Sequence, residues 1–188
     1  LSSEPGDSAA AEEVRNSLRE HGDWFRKALA ENARLPLAPD IRDAISELQP
    51  VLESYIHAAE SIAEWLRPGQ LVVLESTVWP GATATVVKPI LESGGLRAGE
   101  DFFLAFSPER EDPGNHKFDT RSIPKVVGAD DARSRELIDL FYSQIVTRTV
   151  PVSSLATAEA VKLAENSFRT VNIALVNEMK VALEAMGV

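Results

Sequence analysis

The hydrophobic residues of this chain follow a helical spacing first and a strand-like spacing afterwards. Between Ile41 and Leu66 they recur every three or four positions, which predicts a helix with one apolar face. Pro50 lies inside this stripe, and because proline removes a backbone hydrogen bond and clashes with the preceding turn, we expect two helices or a kink there. Packing in a core is the plain reading, and a coiled-coil partner is the alternative. The stripe consists of Ile41, Ile45, Leu48, Leu52, Tyr55, Ala59, Ile62 and Leu66.

Ahead of the stripe, residues 1–11 have the composition of a polar tail. Asp7 or Ser8 is a candidate cap for a helix that runs to about Asn32. The proline-bearing segment 34–40 then breaks the pattern.

After Pro68 the apolar residues form short continuous runs, which predict strands buried on both faces, as in a parallel sheet. Helices are predicted after Gly81, over 131–145 and from Ser154 to Met186. The alternation predicts an α/β fold with right-handed crossovers. The strands are predicted at 71–74, 102–106 and 123–129, with a short fourth within 147–154.

Composition narrows the classes of function. The 188 residues are 44% apolar and 26% charged, which is enough for a globular core. The net charge of −10 argues against nucleic acid or an anionic membrane as a bulk electrostatic partner. No apolar run approaches the ~20 residues of a membrane helix and the first residues do not resemble a signal peptide, so the cytoplasm is expected. The absence of cysteine excludes thiolate metal sites within this sequence, and the three histidines have no metal-ligand spacing.

Two polar segments follow predicted strands, which is where α/β sheets bind ligands. Glu75–Thr77 follows the first strand, and Ser107–Asp112 follows the second. If these strands are parallel neighbours, Thr77 and Glu109 share one crevice. Thr77 offers a hydroxyl that orients a water or a phosphate, although capping a helix is an equal alternative. Glu109 offers a carboxylate that can act as a base, and a solvated charged loop is the plain alternative.

The predicted long helix carries a second group of candidates. Lys162 and Asn166 are four residues apart and therefore project from one face. Lys162 lies among apolar residues, which makes it a candidate oxyanion stabiliser, with a solvated surface lysine as the alternative. Asn172 and Asn177 are unusual in an apolar helix and hint at an interface or a site.

Four segments carry a resemblance to a known family. In order along the chain, they resemble motifs of the nucleotide-sugar 6-dehydrogenases, the UDP-glucose/GDP-mannose dehydrogenase family. The second and third are most similar to the UDP-N-acetylglucosamine 6-dehydrogenase branch. The segments are LRPGQLVVLESTVWPGAT, FSPEREDPGN, IPKVVG and AEAVKLAENSFRTVNIALVNEMKVALEAMGV.

The resemblance implies chemistry and residue roles. Enzymes of this family oxidise the C6 alcohol of a UDP-sugar to a carboxylate with two NAD, through a cysteine-bound thioester that water hydrolyses. It implies that Thr77 positions the water, that Glu109 is the base and that Lys162 and Asn166 stabilise the oxyanion. Ser76, Thr77 and Glu109 are the candidate residues for contact with NAD.

The resemblance also implies an organisation. Residues 39–153 would form the later half of a Rossmann-like NAD domain, residues 154–188 a central helix that joins domains and forms a homodimer, and residues 1–38 have no assigned role. The expected fold class is thus α/β, a partial Rossmann-like parallel sheet with N-terminal helices and a long C-terminal helix.

Two features depart from the family. The sequence has no G-x-G-x-x-G fingerprint and no cysteine, so we expect a partial form without dehydrogenase turnover on its own. The alternative is a non-catalytic interaction or assembly module. Dehydrogenases of the 6-phosphogluconate or 3-hydroxyacid type also place a lysine and an asparagine four apart on a long helix, but they do not share the SPERED segment.

Overall fold

The structure is a computed structural model that describes residues 39–109 and 121–188, together with the helical positions Lys27 and Glu31. Apart from those two positions, the helix predicted to end near Asn32 lies outside the described residues, as do residues 110–120. The chain divides into two compact units. The first comprises Leu1–Gln70 and Ala84–Phe103, and the second comprises Leu71–Thr83 and Leu104–Val188.

The first unit is built around helix α1, Pro39–Trp65, which packs against the short helix α2, Lys88–Glu92. Pro50 lies inside α1, so the prediction of two separate helices is wrong. A π-helical segment, Thr83–Val87, leads into α2.

The buried face of α1 is displaced from the predicted stripe. Ile56, Ala59 and Ala63 are buried, whereas Ile62 is 44% exposed. Of the predicted positions whose side chains are described, Ala59 is correct, Tyr55 and Leu66 are half-buried, and Ile62 is wrong. The side chains of the stripe positions Ile41, Ile45, Leu48 and Leu52 lie outside the described part of the structure, so the choice between core packing and a coiled-coil partner stays a prediction.

The second unit holds most of a four-stranded sheet in the order β1-β2-β3-β4. All four predicted strands are present: β1 Leu71–Leu74, β2 Phe103–Phe106, β3 Lys125–Gly128 and β4 Thr149–Val152. Strands β3 and β4 are parallel, with Lys125 opposite Thr149. Phe103 N donates to Gln70 O, and Ser107 N donates to Leu74 O. Residue numbers rise in the same direction on both strands from one bond to the next, which is the pattern of parallel pairing between β1 and β2.

The sheet is mixed, and this corrects the prediction that it is wholly parallel. Strands β2 and β3 are antiparallel, with Phe106 opposite Gly128. A strand buried on both faces shows the same continuous apolar run in either direction, so the sequence pattern did not reveal the reversal. The expected α/β, Rossmann-like class itself is correct.

Helices α3, Ala132–Ser143, and α4, Leu155–Ala185, pack against β3 and β4. Asp131 and Ser154 cap them by accepting hydrogen bonds from Ser134 N and Thr157 N. The long helix therefore lies within one residue of its predicted bounds at each end.

No helix in the described part of the chain is long and apolar enough to cross a bilayer. A cluster in this unit contains Ala105, Val127, Ala129, Ile138, Tyr142 and Val146, with Leu71 and Val73 against it.

Gly128 closes the gap between β3 and the start of α4. A Cβ at this position would lie 2.5 Å from the backbone oxygen of Ser154 and 2.7 Å from the Cβ of Ala158. Both distances are shorter than a carbon atom tolerates, and one of the opposing atoms is backbone. The absence of a side chain at Gly128 therefore fixes how closely α4 approaches the sheet.

We expect Gly128→Ala to lower the free energy of unfolding by about 1–3 kcal/mol, because the added methyl group overpacks a rigid contact. Urea denaturation measures the change. Gly69→Ala is the matched control, since its new Cβ meets nothing within 4 Å and the backbone strain of its positive φ is the only cost. A loss at Gly128 no larger than that at Gly69 would contradict the steric explanation.

Candidate functional site

The site begins where β1 and β2 end. Beyond the strands, Ser107 N donates to Leu74 O at 2.9 Å and Glu109 N donates to Glu75 O at 3.3 Å. These bonds continue the pairing and place Glu75 beside Glu109. The neighbouring strands thus bring together the two polar segments that the sequence indicated.

Lys125 joins the two carboxylates. Its Nζ lies 2.9 Å from Glu75 Oε1 and 3.2 Å from Glu109 Oε2. The lysine is only 5% exposed, whereas the side chains of Glu75 and Glu109 are 42% and 45% exposed. A buried ammonium group requires paired charge, and the two carboxylates supply it while remaining within reach of a ligand.

The antiparallel reversal explains why Lys125 takes part. Lys125 is the first residue of β3, and in a wholly parallel sheet it would lie at the edge opposite the ends of β1 and β2. Because β3 runs antiparallel to β2, Lys125 lies beside the residues that follow Phe106. With all strands parallel, as the apolar pattern predicts, Lys125 would lie away from the site, which is why the sequence indicates no role for it.

Tyr142 completes the cluster from α3. Its hydroxyl donates to Glu75 Oε1 at 2.5 Å, and the ring centroid lies 5.0 Å from Lys125 Nζ, within cation–π range. Burial raises the pKa of the Tyr142 phenol far above its ordinary value, and the hydrogen bond and negative charge of Glu75 raise it further. Tyr142 thus remains a neutral hydrogen-bond donor.

Helix α4 reaches the same edge through Lys162. The Nζ of Lys162 donates a hydrogen bond to the backbone oxygen of Glu109. Lys162 and Asn166, one turn later, both line a cavity of about 680 Å³. Ile123 and Arg169 are also part of its lining. The structure therefore brings Lys162, Asn166 and the Glu109 backbone into one region.

A buried carboxylate one turn before Lys162 fixes α4 to the segment that follows β1. Glu159 is 0% exposed and accepts hydrogen bonds from Gly81 N, from Thr83 N at 2.8 Å and from Thr83 Oγ1 at 2.5 Å. These donors satisfy the charge and cap the first turn of the π-helical segment. Ser76 and Thr77 precede this anchored turn, and both are exposed.

The other sequence candidates have mixed outcomes. Helical structure after β1 begins at Ala82, so Thr77 is not its cap. Asn172 and Asn177 are exposed, and Asn172 Nδ2 donates to Phe168 O at 2.7 Å within its own helix. The catalytic roles of Thr77, Glu109, Lys162 and Asn166 remain predictions.

Sequence reasoning missed four contributors: Glu75, Lys125, Tyr142 and Glu159. A charged residue inside an otherwise apolar segment, such as Lys125 or Glu159, is the signal that could have found two of them. Within the described ranges, no group of three or more histidine, aspartate or glutamate side chains could hold a metal ion.

Two family models cover most of the chain. The NAD binding domain of the UDP-glucose/GDP-mannose dehydrogenase family matches residues 39–146, and the central domain of that family matches residues 156–188. The boundary between them falls at the N-terminus of α4.

Curated relatives and solved structures agree with the family models. The UDP-N-acetyl-D-glucosamine 6-dehydrogenase of Pseudomonas aeruginosa is 44% identical over 142 residues, 74% of this chain and 34% of that protein. The UDP-N-acetyl-D-mannosamine dehydrogenase of Pyrococcus horikoshii is 34% identical over 148 residues, 79% of this chain and 35% of that protein. This chain thus spans about a third of the length of these relatives.

Among solved structures, an NDP-N-acetyl-D-galactosaminuronic acid dehydrogenase from Methanosarcina mazei Go1 superposes with a TM-score of 0.59 at 40% identity. The match covers 67% of this chain and 27% of that one. The sheet, the long helix and the sequence segments that line the site therefore agree with one assignment: the chain belongs to the UDP-glucose/GDP-mannose dehydrogenase family.

Proposed function

We propose that these residues belong to an NAD-dependent dehydrogenase that oxidises C6 of a UDP-N-acetylhexosamine to the uronic acid, with UDP-N-acetylglucosamine as the preferred substrate. The similarity to a UDP-N-acetyl-D-glucosamine 6-dehydrogenase supports the sugar class. A UDP-N-acetyl-D-mannosamine dehydrogenase matches at lower identity, which is the reason for the preference.

The observation that carries the proposal is the convergence of Lys162 and Glu109. An ammonium group on one face of α4 lies against the backbone of a residue whose carboxylate faces the end of the sheet. Asn166 lines the same cavity as Lys162. A cation and an amide donor next to a carboxylate can stabilise a developing oxyanion and accept a proton within one site.

The exposed groups at the ends of β1 and β2 fit part of a dinucleotide. NAD is the cofactor that the NAD binding domain family implies. The hydroxyls of Ser76 and Thr77 and the half-exposed carboxylate of Glu109 lie at the strand ends, where such sheets bind nucleotides. These three residues would hold the nicotinamide end of NAD, which accepts a hydride when it is bound.

Four residues have separate roles in the proposed reaction. Lys162 and Asn166 donate hydrogen bonds to the substrate oxygen on which negative charge develops. Glu109 accepts a proton, and Thr77 orients the water that hydrolyses the acyl intermediate. The covalent step implied by the family resemblance needs a cysteine, which these 188 residues do not contain.

We expect Lys162→Ala in the full-length enzyme to lower turnover by about 10²–10³-fold with a smaller effect on substrate binding, because an oxyanion donor acts mainly in the transition state. Steady-state rates of NADH formation from UDP-N-acetylglucosamine measure the change in kcat and KM.

Lys180→Ala is the matched control on the same helix. Lys180 is 70% exposed and pairs with Glu184 at 3.5 Å, so its loss should leave both constants within about twofold, as for a surface ion pair. Unchanged turnover in Lys162→Ala would remove this lysine from the site. NADH formation from UDP-N-acetylmannosamine at a higher kcat/KM would refute the preferred sugar.

We also propose that α4 forms a homodimer with a second copy of the chain. Beyond Ser167 the helix carries large apolar side chains that are exposed in this chain, a surface that soluble proteins normally cover. They recur every three or four residues, which favours a second helix as the partner. The stripe comprises Phe168, Val171, Leu175, Met179, Leu183 and Met186.

We expect Leu175→Glu to shift the full-length protein from dimer to monomer, because the new carboxylate would be buried unpaired in the stripe. Sedimentation velocity measures the mass. Asn177→Glu, two residues away and on the opposite side of the helix, is the control and should remain dimeric. A dimer of undiminished affinity in Leu175→Glu would show that this stripe packs elsewhere.

A further inference from the structure

The cluster at the strand ends contains a buried cation to which the family resemblance assigns no role. We propose that Lys125 is a positioning residue that holds the carboxylate of Glu109 ionised and in a fixed orientation, with Glu75 competing for the same ammonium group. This rests on the proposed function, in which Glu109 accepts a proton. It adds two residues, Lys125 and Glu75, that set the strength of that base.

Burial of the ammonium group strengthens its interaction with Glu109. Lys125 is 5% exposed and its Nζ lies 3.2 Å from Glu109 Oε2. Charges interact more strongly away from water because the effective dielectric constant is lower. An opposite charge at this distance favours the ionised carboxylate. Glu109 is thereby kept ready to take a proton while nearly half of its side chain remains exposed.

Among the residues that the structure describes, Lys125, Glu75, Tyr142 and Lys162 surround Glu109. Lys125 approaches from β3 and Glu75 from the end of β1, and Glu75 lies nearer to the ammonium group, at 2.9 Å. Tyr142 on α3 keeps its proton and donates to Glu75. Lys162 on α4 donates to the backbone oxygen of Glu109. One buried cation is therefore shared between two carboxylates, and the neutral phenol helps to hold Glu75.

The competition predicts opposite effects for the two partners of Glu109. Removal of the ammonium group destabilises the ionised form of Glu109 and raises its pKa. Removal of the Glu75 charge abolishes a like-charge repulsion and leaves Lys125 to Glu109 alone, which lowers the pKa of Glu109. A residue that only maintained the fold would not shift a pH profile in a chosen direction.

The step affected is hydrolysis of the acyl intermediate. The water oxygen forms a bond to the acyl carbon, and the water proton passes to Glu109. The carbon–sulfur bond breaks, and its electron pair remains on the sulfur of the cysteine that the proposed reaction requires and that these 188 residues do not contain. The rate falls at low pH where Glu109 is already protonated, so the midpoint of that acid limb reports the pKa of Glu109 in the complex.

The experiment compares Lys125→Met, Lys125→Arg and Glu75→Gln in the full-length enzyme by single-turnover hydrolysis of the acyl intermediate across pH. We expect the acid limb to move to higher pH by about one unit or more in Lys125→Met. It should move to lower pH in Glu75→Gln. Lys125→Arg, which keeps the charge, should restore most of the wild-type profile.

An acid limb at the wild-type position in both Lys125→Met and Glu75→Gln would overturn the proposal, as would a uniform loss of rate at every pH. If Lys125→Met does not fold, the shift in Glu75→Gln decides alone, since that variant keeps the buried lysine paired to Glu109. Glu109→Gln distinguishes failure of the proposed base from failure of the role proposed for Lys125. Hydrolysis at the wild-type rate in Glu109→Gln would refute Glu109 as the base. If the acyl intermediate accumulates in Glu109→Gln but the acid limbs of the Lys125 and Glu75 variants do not shift, only the positioning role of Lys125 is refuted.

Discussion

A buried ammonium group must be compensated by negative charge, and this constraint organises one edge of the sheet. Lys125 meets it with two carboxylates that follow two different strands. The ends of β1 and β2 and the beginning of β3 are therefore joined by one set of charges. Tyr142 adds α3 to the set through Glu75. The chemistry-bearing loops are thus fixed to the rigid sheet by the same groups that would tune their reactivity.

Helix α4 is held against the rest of the second unit by three contacts along its first two turns. Gly128 permits its close approach to β3, Glu159 binds the turn that follows β1, and Lys162 binds the backbone that follows β2. The candidate oxyanion donors therefore keep a defined position relative to both loops. Beyond Ser167 the large apolar side chains of the helix are exposed.

The sequence predicted the strands and the long helix well because continuous apolar runs and capping residues are local signals. Leu71–Leu74 was correct to the residue, and Ser154 caps the helix that it was predicted to begin. Lys162 and Asn166 could be paired because helical spacing alone places them on one face. The meeting of the polar segments that follow β1 and β2 was expected from strand adjacency, although the sequence indicated no role for Glu75 itself. These successes share one property, namely that each depends on residues close in sequence or on a single pairing.

The failures have the opposite property. The direction of β3 is decided by tertiary pairing, and a strand buried on both faces carries no mark of its direction. Lys125 therefore could not be placed beside Glu109 by pattern alone. The position of Ile62 depends on which neighbour covers α1, and helical periodicity fixes the spacing of a face but not its partner. An acidic chain of net charge −10 nevertheless gathers Lys125 and Lys162 around one carboxylate residue. The placement of these two ammonium groups beside Glu75 and Glu109 is thus a product of topology, which total charge does not reveal.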